Sequence, residues 1–201
     1  MSAYPIALNG QRLRALVVGG GAVGTRKALA LLDAGADVRV VAPEISAELA
    51  QLEAQNRLAV LHAPYGPDAL GDATVVIAAT SSRDVNSTVA ADARERGKLV
   101  NVADAPDEGD FHGMAVHRSG DLTIAVSTGG VPGAAARIRD TLAARFDKRY
   151  EQAISALHHM RTRLRAADTG AWDRAASDLV GKDFCDVVEA GSLPEKVAVW
   201  R

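Results

Sequence analysis

The sequence predicts an α/β protein with a doubly wound parallel sheet, followed by a small α/β region and a C-terminal helical domain. Three observations support this prediction. Short apolar runs alternate with helix-length segments through the first half of the chain, which is typical of βαβ units. A glycine-rich loop follows the first apolar run. Beyond residue 102, two short strand-like runs are followed by helical segments alone.

The strands of the first half are predicted from apolar runs without polar alternation, because such runs suit strands that are covered on both faces. Two of the intervening helices stop at Gly35 and Gly97, since glycine is common just after a helix end. The predicted strands are 13–18, 37–41, 58–62, 73–79 and 98–102, and the predicted helices are 22–34, 45–55 and 84–96. Right-handed crossovers favour strand order 3-2-1-4-5, with a ligand crevice at the carboxyl ends of strands 1 and 4.

The second half begins with an acidic, turn-like segment at 103–109. Pro132 is compatible with the first turn of a helix, because its missing N–H would be unpaired there in any case. The predicted strands of this half are 111–117 and 122–126, and the predicted helices are 132–146, 150–167, 172–180 and 184–189.

Composition narrows the class of function. The chain has 201 residues, of which 48% are hydrophobic and 24% charged, as is usual for a globular protein. A net charge of −2 argues against a nucleic-acid partner, since such proteins are usually basic. The single cysteine, Cys185, excludes an internal disulfide and fits a reducing compartment. No apolar run approaches the roughly 20 residues of a membrane span, and no secretory signal is visible. We therefore expect a cytoplasmic location without a membrane partner.

The glycine-rich loop is the most informative motif. Residues 19–24, GGGAVG, fit G-x-G-x-x-G between a predicted strand and a predicted helix. In that context the motif predicts a Rossmann-like dinucleotide site, in which the first glycine allows a tight turn and the second lets the pyrophosphate approach the backbone. The third glycine lets the helix pack on the strand. The alternative is a glycine turn that binds nothing. The residues predicted to bind the dinucleotide here are Gly19, Gly21, Ala22, Val23 and Gly24.

The end of the second strand bears on the choice of nucleotide. An acid at this strand end usually holds the ribose hydroxyls, but the sequence there is Ala42-Pro43-Glu44. Glu44 comes late and can instead start the next helix. Neither Ala42 nor Pro43 is basic, and Arg39 lies inside the strand, so a 2′-phosphate has no partner there. We predict NAD rather than NADP, with Ala42 and Pro43 against the adenosine.

Several separated motifs point to one family. Their order and spacing over residues 5–147 resemble the siroheme synthase family of precorrin-2 dehydrogenases and sirohydrochlorin ferrochelatases. The motifs are VVGGGAVG at 17–24 followed by Arg26-Lys27, Ala78-Ala79-Thr80 followed by Val85-Asn86, NVADAP at 101–106, Asp110-Phe111, and AVSTGG at 125–130.

The resemblance implies an activity and an architecture. Family members oxidise precorrin-2 to sirohydrochlorin with NAD⁺, and some then insert Fe²⁺ to give siroheme. The expected domains are an NAD-binding domain at 1–110, a dimerisation and substrate region at 111–147 and a helical domain at 148–201. The resemblance further implies a homodimer, a tetrapyrrole substrate, and Fe²⁺ or cobalt as co-substrate if the chelatase activity is present.

Asp104 occupies the position of the family's essential aspartate. Loss of a hydride from a reduced tetrapyrrole also requires loss of a proton, which a carboxylate near the nicotinamide can accept. The alternative role for Asp104 is to cap backbone N–H groups in a turn before Pro106. On the cofactor side, the resemblance adds the residues at the ends of the fourth and fifth strands, which are Thr80, Ser81, Asn101 and Val102.

The loop after the last predicted strand is expected to face the substrate. Precorrin-2 is an octacarboxylate, so hydroxyl and guanidinium donors are chemically expected partners. Ser127 and Thr128 can instead cap the following helix, and Arg139 is a second candidate on that helix. The residues predicted to bind substrate are Ser127, Thr128, Gly129 and Arg137. No metal site is predicted; His112, eight residues beyond Asp104, is the most notable of five histidines.

Of two other classes of function, one remains open and one lacks its required residue pair. One is a non-catalytic NAD-sensing module, which would need the glycine loop but no carboxylate at the nicotinamide. Within the family, a dehydrogenase without chelatase activity is also possible. The other class, a short-chain oxidoreductase, requires a Tyr-x-x-x-Lys pair, but the residues four after the three tyrosines are Leu8, Ala69 and Ile154.

Overall fold

A computed structural model describes residues 3–168 and 170–200. The predicted domain ranges also include Met1, Ser2, Thr169 and Arg201, which lie outside that part. The chain forms two compact units, of which the first ends at Gly113 and the second begins at Met114. The division into three domains at 110 and 147 stays a prediction. None of the helices in the described residues is long and apolar enough to cross a membrane.

The first unit is built on a five-stranded sheet in the order β3-β2-β1-β4-β5. All neighbouring strands are parallel, so the predicted fold class and strand order are confirmed. The strands are β1 (Arg14–Gly20), β2 (Asp37–Ile45), β3 (Ala59–Leu61), β4 (Val75–Ala78) and β5 (Leu99–Val102). The helices are α1 (Ala22–Asp33), α2 (Ala47–Ala54) and α3 (Arg83–Glu95), with short 3₁₀ turns at Gly10–Arg12, Pro67–Leu70 and Pro106–Glu108.

The sheet is buried on both faces. Alternate residues of β1 enter two different clusters: Val17 packs with Val40 and Leu49 on one face, and Leu16 packs with Val89 on the other. Both faces therefore require apolar side chains, which explains why the strand sequences are continuous apolar runs.

β2 is longer than predicted, and this changes the position of Glu44. Val18 pairs with Val41, and the next pair joins Gly20 to Ile45. Residues 42–44 therefore bulge opposite Gly19. The prediction that a helix begins at Ile45 is wrong, because Ser46 caps α2 by accepting a hydrogen bond from the Leu49 N–H at 3.2 Å. Glu44 is part of this extended strand and does not start the helix.

The second unit combines an antiparallel hairpin with a helical core. The hairpin consists of β6 (Ala115–Ser119) and β7 (Leu122–Val126). Tyr150, Leu157, Met160 and Leu179 are at the centre of the helical core. The helices are α4 (Pro132–Arg145), α5 (Lys148–Ala167), α6 (Ala171–Leu179), α7 (Phe184–Glu189) and α8 (Leu193–Val199), of which α8 was not predicted.

The predicted strand at 111–117 begins too early. Residues 110 and 111 are bound to the edge of β5 instead. The Asp110 N–H donates to the Val100 carbonyl at 2.7 Å, the Val100 N–H donates to Asp110 Oδ2 at 2.9 Å, and Asn101 Nδ2 donates to the Phe111 carbonyl at 2.8 Å. β6 therefore starts only at Ala115.

Candidate dinucleotide-binding site

A cavity of about 700 Å³ opens at the carboxyl ends of β1, β2 and β4. This size is usual for a small-molecule site, and its position is the crevice where parallel sheets of this order bind ligands. It is lined by Val18, Gly19, Gly20, Gly21, Val41, Ala42, Pro43, Glu44, Ile45, Ser46, Pro64, Tyr65, Ala79, Thr80, Ser81, Ser82 and Val85. Six of the predicted cofactor residues are in this lining: Gly19, Gly21, Ala42, Pro43, Thr80 and Ser81.

Two of the three glycines at the fixed positions of the motif are required by close backbone contacts. Gly19 has φ +115°, and a Cβ there would collide with the Ala79 carbonyl of the neighbouring strand. A Cβ on Gly24 would collide with the Gly19 carbonyl, so Gly24 allows α1 to pack against the loop. These contacts fix the loop beside the end of β4.

Gly21 differs from both, because a Cβ there would meet no atom within 4 Å. Gly21 is the N-cap of α1 with no side-chain capping bond, and Ala22 and Val23 follow it in the first turn. First-turn N–H groups have no intrahelical partner, and the helix dipole favours an anion beside them. Open space, free N–H donors and the adjoining cavity together fit the pyrophosphate of a dinucleotide.

The bulge of β2 forms another part of the cavity wall. Ala42 is buried, and Pro43 and Glu44 are exposed. Among the described residues that line the cavity, none is basic and Glu44 is acidic. Tyr65 donates a hydrogen bond to Asp92 Oδ2 at 3.0 Å, and burial, followed by this bond, raises the pKa of Tyr65. Tyr65 is therefore a neutral phenol.

A buried asparagine connects the cavity to Asp104. Asn86 is 0% exposed. Its Oδ1 accepts from the Thr80 N–H at 3.0 Å and lies 2.8 Å from Thr80 Oγ1. Its Nδ2 donates to the Thr80 carbonyl at 3.1 Å and to Asp104 Oδ1 at 2.9 Å. The sequence motifs include Asn86 but assign it no role; the available signal is an amide in the first turn of a helix that follows a buried strand.

Asp104 follows β5 and has a side chain that is 39% exposed. Arg83 Nη1 lies 3.8 Å from its Oδ1, and the same guanidinium pairs with Glu108. The hydrogen bond that Arg83 donates to Glu108 raises the pKa of Arg83, with smaller contributions from the charges of Glu108 and Asp104. Asp104 is thus held between an amide donor and a cation at the carboxyl edge of the sheet.

Asn101 and Val102 are not part of the cavity lining. Both are buried within β5. Asn101 bonds to the Phe111 carbonyl, and its Oδ1 has no hydrogen-bond partner in the described part of the chain. The structure therefore places these two residues in the sheet interior.

The predicted substrate residues lie in the second unit. Ser127 follows β7 and is exposed. Thr128 Oγ1 donates to the Val131 carbonyl at 2.6 Å, and Gly129 has φ +62°. Arg137 is exposed on α4, whereas Arg139 pairs with its neighbour Asp140 at 2.6 Å.

The histidines of the described residues are scattered. His62 pairs with Glu53 at 3.2 Å, and His117 Nε2 lies 2.8 Å from the Phe146 carbonyl. His112 is exposed after Phe111. Within residues 3–168 and 170–200, no group of three or more His, Cys, Asp or Glu side chains is arranged to hold a metal ion.

The fold and the cavity define a dinucleotide-binding protein. Residues 6–115 match a family model described as "Putative NAD(P)-binding". The siroheme synthase of Chromobacterium violaceum is 40% identical over 167 residues, which are 78% of this chain and 36% of that protein. The siroheme synthase of Nitrosococcus oceani is 32% identical over 201 residues, which are 98% of this chain and 41% of that protein. The chain therefore spans less than half the length of these curated relatives.

A solved structure matches over nearly the whole chain. The structure titled "SirC, precorrin-2 dehydrogenase" has a TM-score of 0.81 and 26% identity, and the match covers 98% of both chains. The chain belongs to the NAD(P)-binding family of the matching model and, as its motifs predicted, to the siroheme synthase family.

Proposed function

We propose that this chain is an NAD-dependent dehydrogenase that oxidises precorrin-2 to sirohydrochlorin in siroheme biosynthesis. The observation that carries the proposal is the carboxylate of Asp104, which Asn86 links to the cavity residue Thr80. A non-catalytic NAD-binding module has no need for a carboxylate at this position. The precorrin-2 dehydrogenase match over 98% of both chains adds support.

Different residues of the first unit bind the parts of NAD⁺ and accept the proton. The glycine loop and the first turn of α1 bind the pyrophosphate, and Ala42 and Pro43 contact the adenosine. Thr80 and Ser81 lie along the nicotinamide half of the cavity. Bound NAD⁺ supplies the hydride acceptor. The oxidation removes one hydride and one proton from the substrate, and Asp104 takes the proton and passes it to water.

NAD is proposed in preference to NADP. The cavity lining contains Glu44 and no basic residue. A 2′-phosphate would lie near a carboxylate without a cationic partner, whereas free ribose hydroxyls can donate to that carboxylate. This preference originates in the bulge of β2, which places Glu44 on the cavity wall.

The remaining assignments follow from the family. Ser127, Thr128, Gly129 and Arg137 are proposed to bind the carboxylate arms of the substrate. The active form is proposed to be a homodimer in the cytoplasm, with an NAD-binding domain at 1–110, a dimerisation region at 111–147 and a helical domain at 148–201. Fe²⁺ is a proposed co-substrate if this chain also inserts the metal.

Substitution of Asp104 tests the proposal. A positioned base commonly contributes about 10²–10⁴-fold to rate, so Asp104→Ala is expected to lose oxidation by that factor and to keep NAD⁺ binding. Asp104→Asn keeps hydrogen-bonding capacity and removes the base, and it should be equally slow. Anaerobic turnover of precorrin-2 at saturating NAD⁺ measures both. Near-normal oxidation by the Asn variant would remove Asp104 from the mechanism.

A further inference from the structure

We infer that Asn86 is the positioning residue of this oxidation: it holds Oδ1 of Asp104 as a hydrogen-bond acceptor and thereby makes Oδ2 the oxygen that takes the proton. The inference rests on the proposed role of Asp104 as the base. It deepens that role by naming the atom that receives the proton and the residue that selects it.

The orientation of the Asn86 amide is fixed by the backbone. The Thr80 N–H can only donate, so the Asn86 atom 3.0 Å away must be the carbonyl oxygen. The opposite end of the amide is then the NH₂ group, which donates to the Thr80 carbonyl and to Asp104 Oδ1. A flipped amide would set a donor against a donor and an acceptor against an acceptor. Because Asn86 is 0% exposed, water cannot compensate for that mismatch.

This orientation distinguishes the two oxygens of Asp104. Asn86 Nδ2 needs an acceptor, and a proton placed on Oδ1 would make that oxygen a poorer acceptor and weaken the 2.9 Å bond. The guanidinium of Arg83, 3.8 Å from Oδ1, is also only a donor and disfavours a proton there. A proton on Oδ2 leaves the Asn86 bond intact. The carboxyl group therefore accepts the proton on Oδ2 without rearrangement.

Asn86 also fixes the position of the Asp104 side chain relative to the cavity residue Thr80. Its backbone N–H donates to the Ser82 carbonyl, which places it in the first turn of α3. Both ends of its amide bind Thr80, which lines the cavity. The position of the base is thereby tied to the end of β4 as well as to the loop that follows β5.

Replacing Asn86 by Asp tests the inference with little change in shape. One oxygen of the new carboxylate can still accept from the Thr80 N–H. The other replaces the NH₂ donor and places negative charge against the Thr80 carbonyl and Asp104 Oδ1. Like charges in contact make the protonated form of one carboxyl more favourable. The charged side chain beside Asp104 is that of Arg83 on α3; Arg83 itself pairs with Glu108 and feels the charge of Asp84. Ser87→Asp is the matched control, because it adds the same charge one residue along α3.

We expect the acidic limb of the kcat–pH profile to move upward by about one pH unit or more in Asn86→Asp. The Kd for NAD⁺ should stay within about twofold, because the pyrophosphate contacts are untouched. Ser87→Asp should match the wild type in both measurements. In the cofactor-free protein, ¹³C NMR of the Asp104 carboxyl carbon should show the same upward movement of its titration midpoint.

A folded Asn86→Asp variant whose pH profile and carboxyl titration both coincide with those of the wild type would overturn the inference. Equal shifts in Asn86→Asp and Ser87→Asp would also overturn it, since they would reflect added charge alone. A wild-type chain that fails to oxidise precorrin-2 would instead overturn the proposed function. The titration in the cofactor-free protein would then still decide whether Asn86 controls Asp104.

Discussion

Alanine at Gly21 and at Gly24 should separate cofactor binding from folding in the glycine loop. At Gly21 the backbone has φ −78°, which alanine adopts readily, and a Cβ would meet no atom within 4 Å. Stability should therefore be unchanged or rise by about 0.4–1 kcal/mol through the unfolded state. At Gly24 the Cβ would collide with the Gly19 carbonyl, and overpacking of this kind costs about 1–3 kcal/mol.

The effect on binding should be the reverse of the effect on stability for Gly21→Ala. Its methyl group enters the space proposed for the pyrophosphate and displaces it from the first-turn N–H groups of α1. Loss of two hydrogen bonds to a charged group costs about 3–6 kcal/mol, or roughly 10²–10⁴-fold in Kd. Gly21→Asp adds a negative charge and should abolish binding.

Calorimetric titration with NAD⁺ and thermal unfolding of the same samples measure both quantities. The reasoning is refuted if Gly21→Ala binds NAD⁺ within twofold of the wild type. It is equally refuted if Gly21→Ala loses as much stability as Gly24→Ala, because the open space beside Gly21 would then not exist.

Three further expectations concern the cofactor, the assembly and the second unit. NAD⁺ should bind more tightly than NADP⁺ in parallel calorimetric titrations, and tighter NADP⁺ binding would contradict the role given to the Glu44 wall. Light scattering at micromolar protein should report a dimer, against which a clean 21.0 kDa monomer would count. The hydrogen bond from Arg145, followed by that from Tyr150, holds the pKa of Glu189 below its usual 4.5. The ionised carboxylate thus contributes stability above about 4.5 that is lost as pH falls through the lower folded pKa. Glu189→Gln should therefore cost stability in urea unfolding at neutral pH, with a difference from the wild type that shrinks at acid pH; a difference independent of pH would contradict this.

The parallel sheet could be predicted because its physical requirement is visible in local sequence. Strands buried on both faces need continuous apolar runs, as in β1 and β4, and helices of the right length separate them. The glycine loop could also be predicted from the sequence, since Gly19 and Gly24 are required by contacts with nearby backbone.

The boundaries that failed depend on contacts distant in sequence. Ile45 fits the helical spacing of Leu49 and Leu52, but its pairing with Gly20 extends β2 instead. The sequence that begins at Phe111 predicts a strand. In the structure, hydrogen bonds of Asp110 and Phe111 with Val100 and Asn101 attach the start of this segment to the edge of β5. Local propensity does not contain this information, because tertiary pairing decides it.

Within the site, Asn86 could not be assigned a role from its spacing. Its amide bridges Thr80 and Asp104, which are 24 positions apart in the sequence and lie after two adjacent strands. That bridge exists only because β4 and β5 are neighbours and α3 begins beside them. Asn101 belongs to the NVADAP motif, and the structure places it inside β5; its predicted contact with the cofactor stays a prediction.

Anaerobic incubation of the chain with precorrin-2 and NAD⁺ tests the central claim most directly. Absorbance of sirohydrochlorin should appear together with one equivalent of NADH. Neither should appear when NAD⁺ is omitted, and both should form about 10²–10⁴-fold more slowly when Asp104→Asn replaces the wild type. Addition of Fe²⁺ in a second stage then reports metal insertion separately. If NAD⁺ binds to the wild-type chain but sirohydrochlorin does not form, the dinucleotide site stands and the dehydrogenase assignment is wrong.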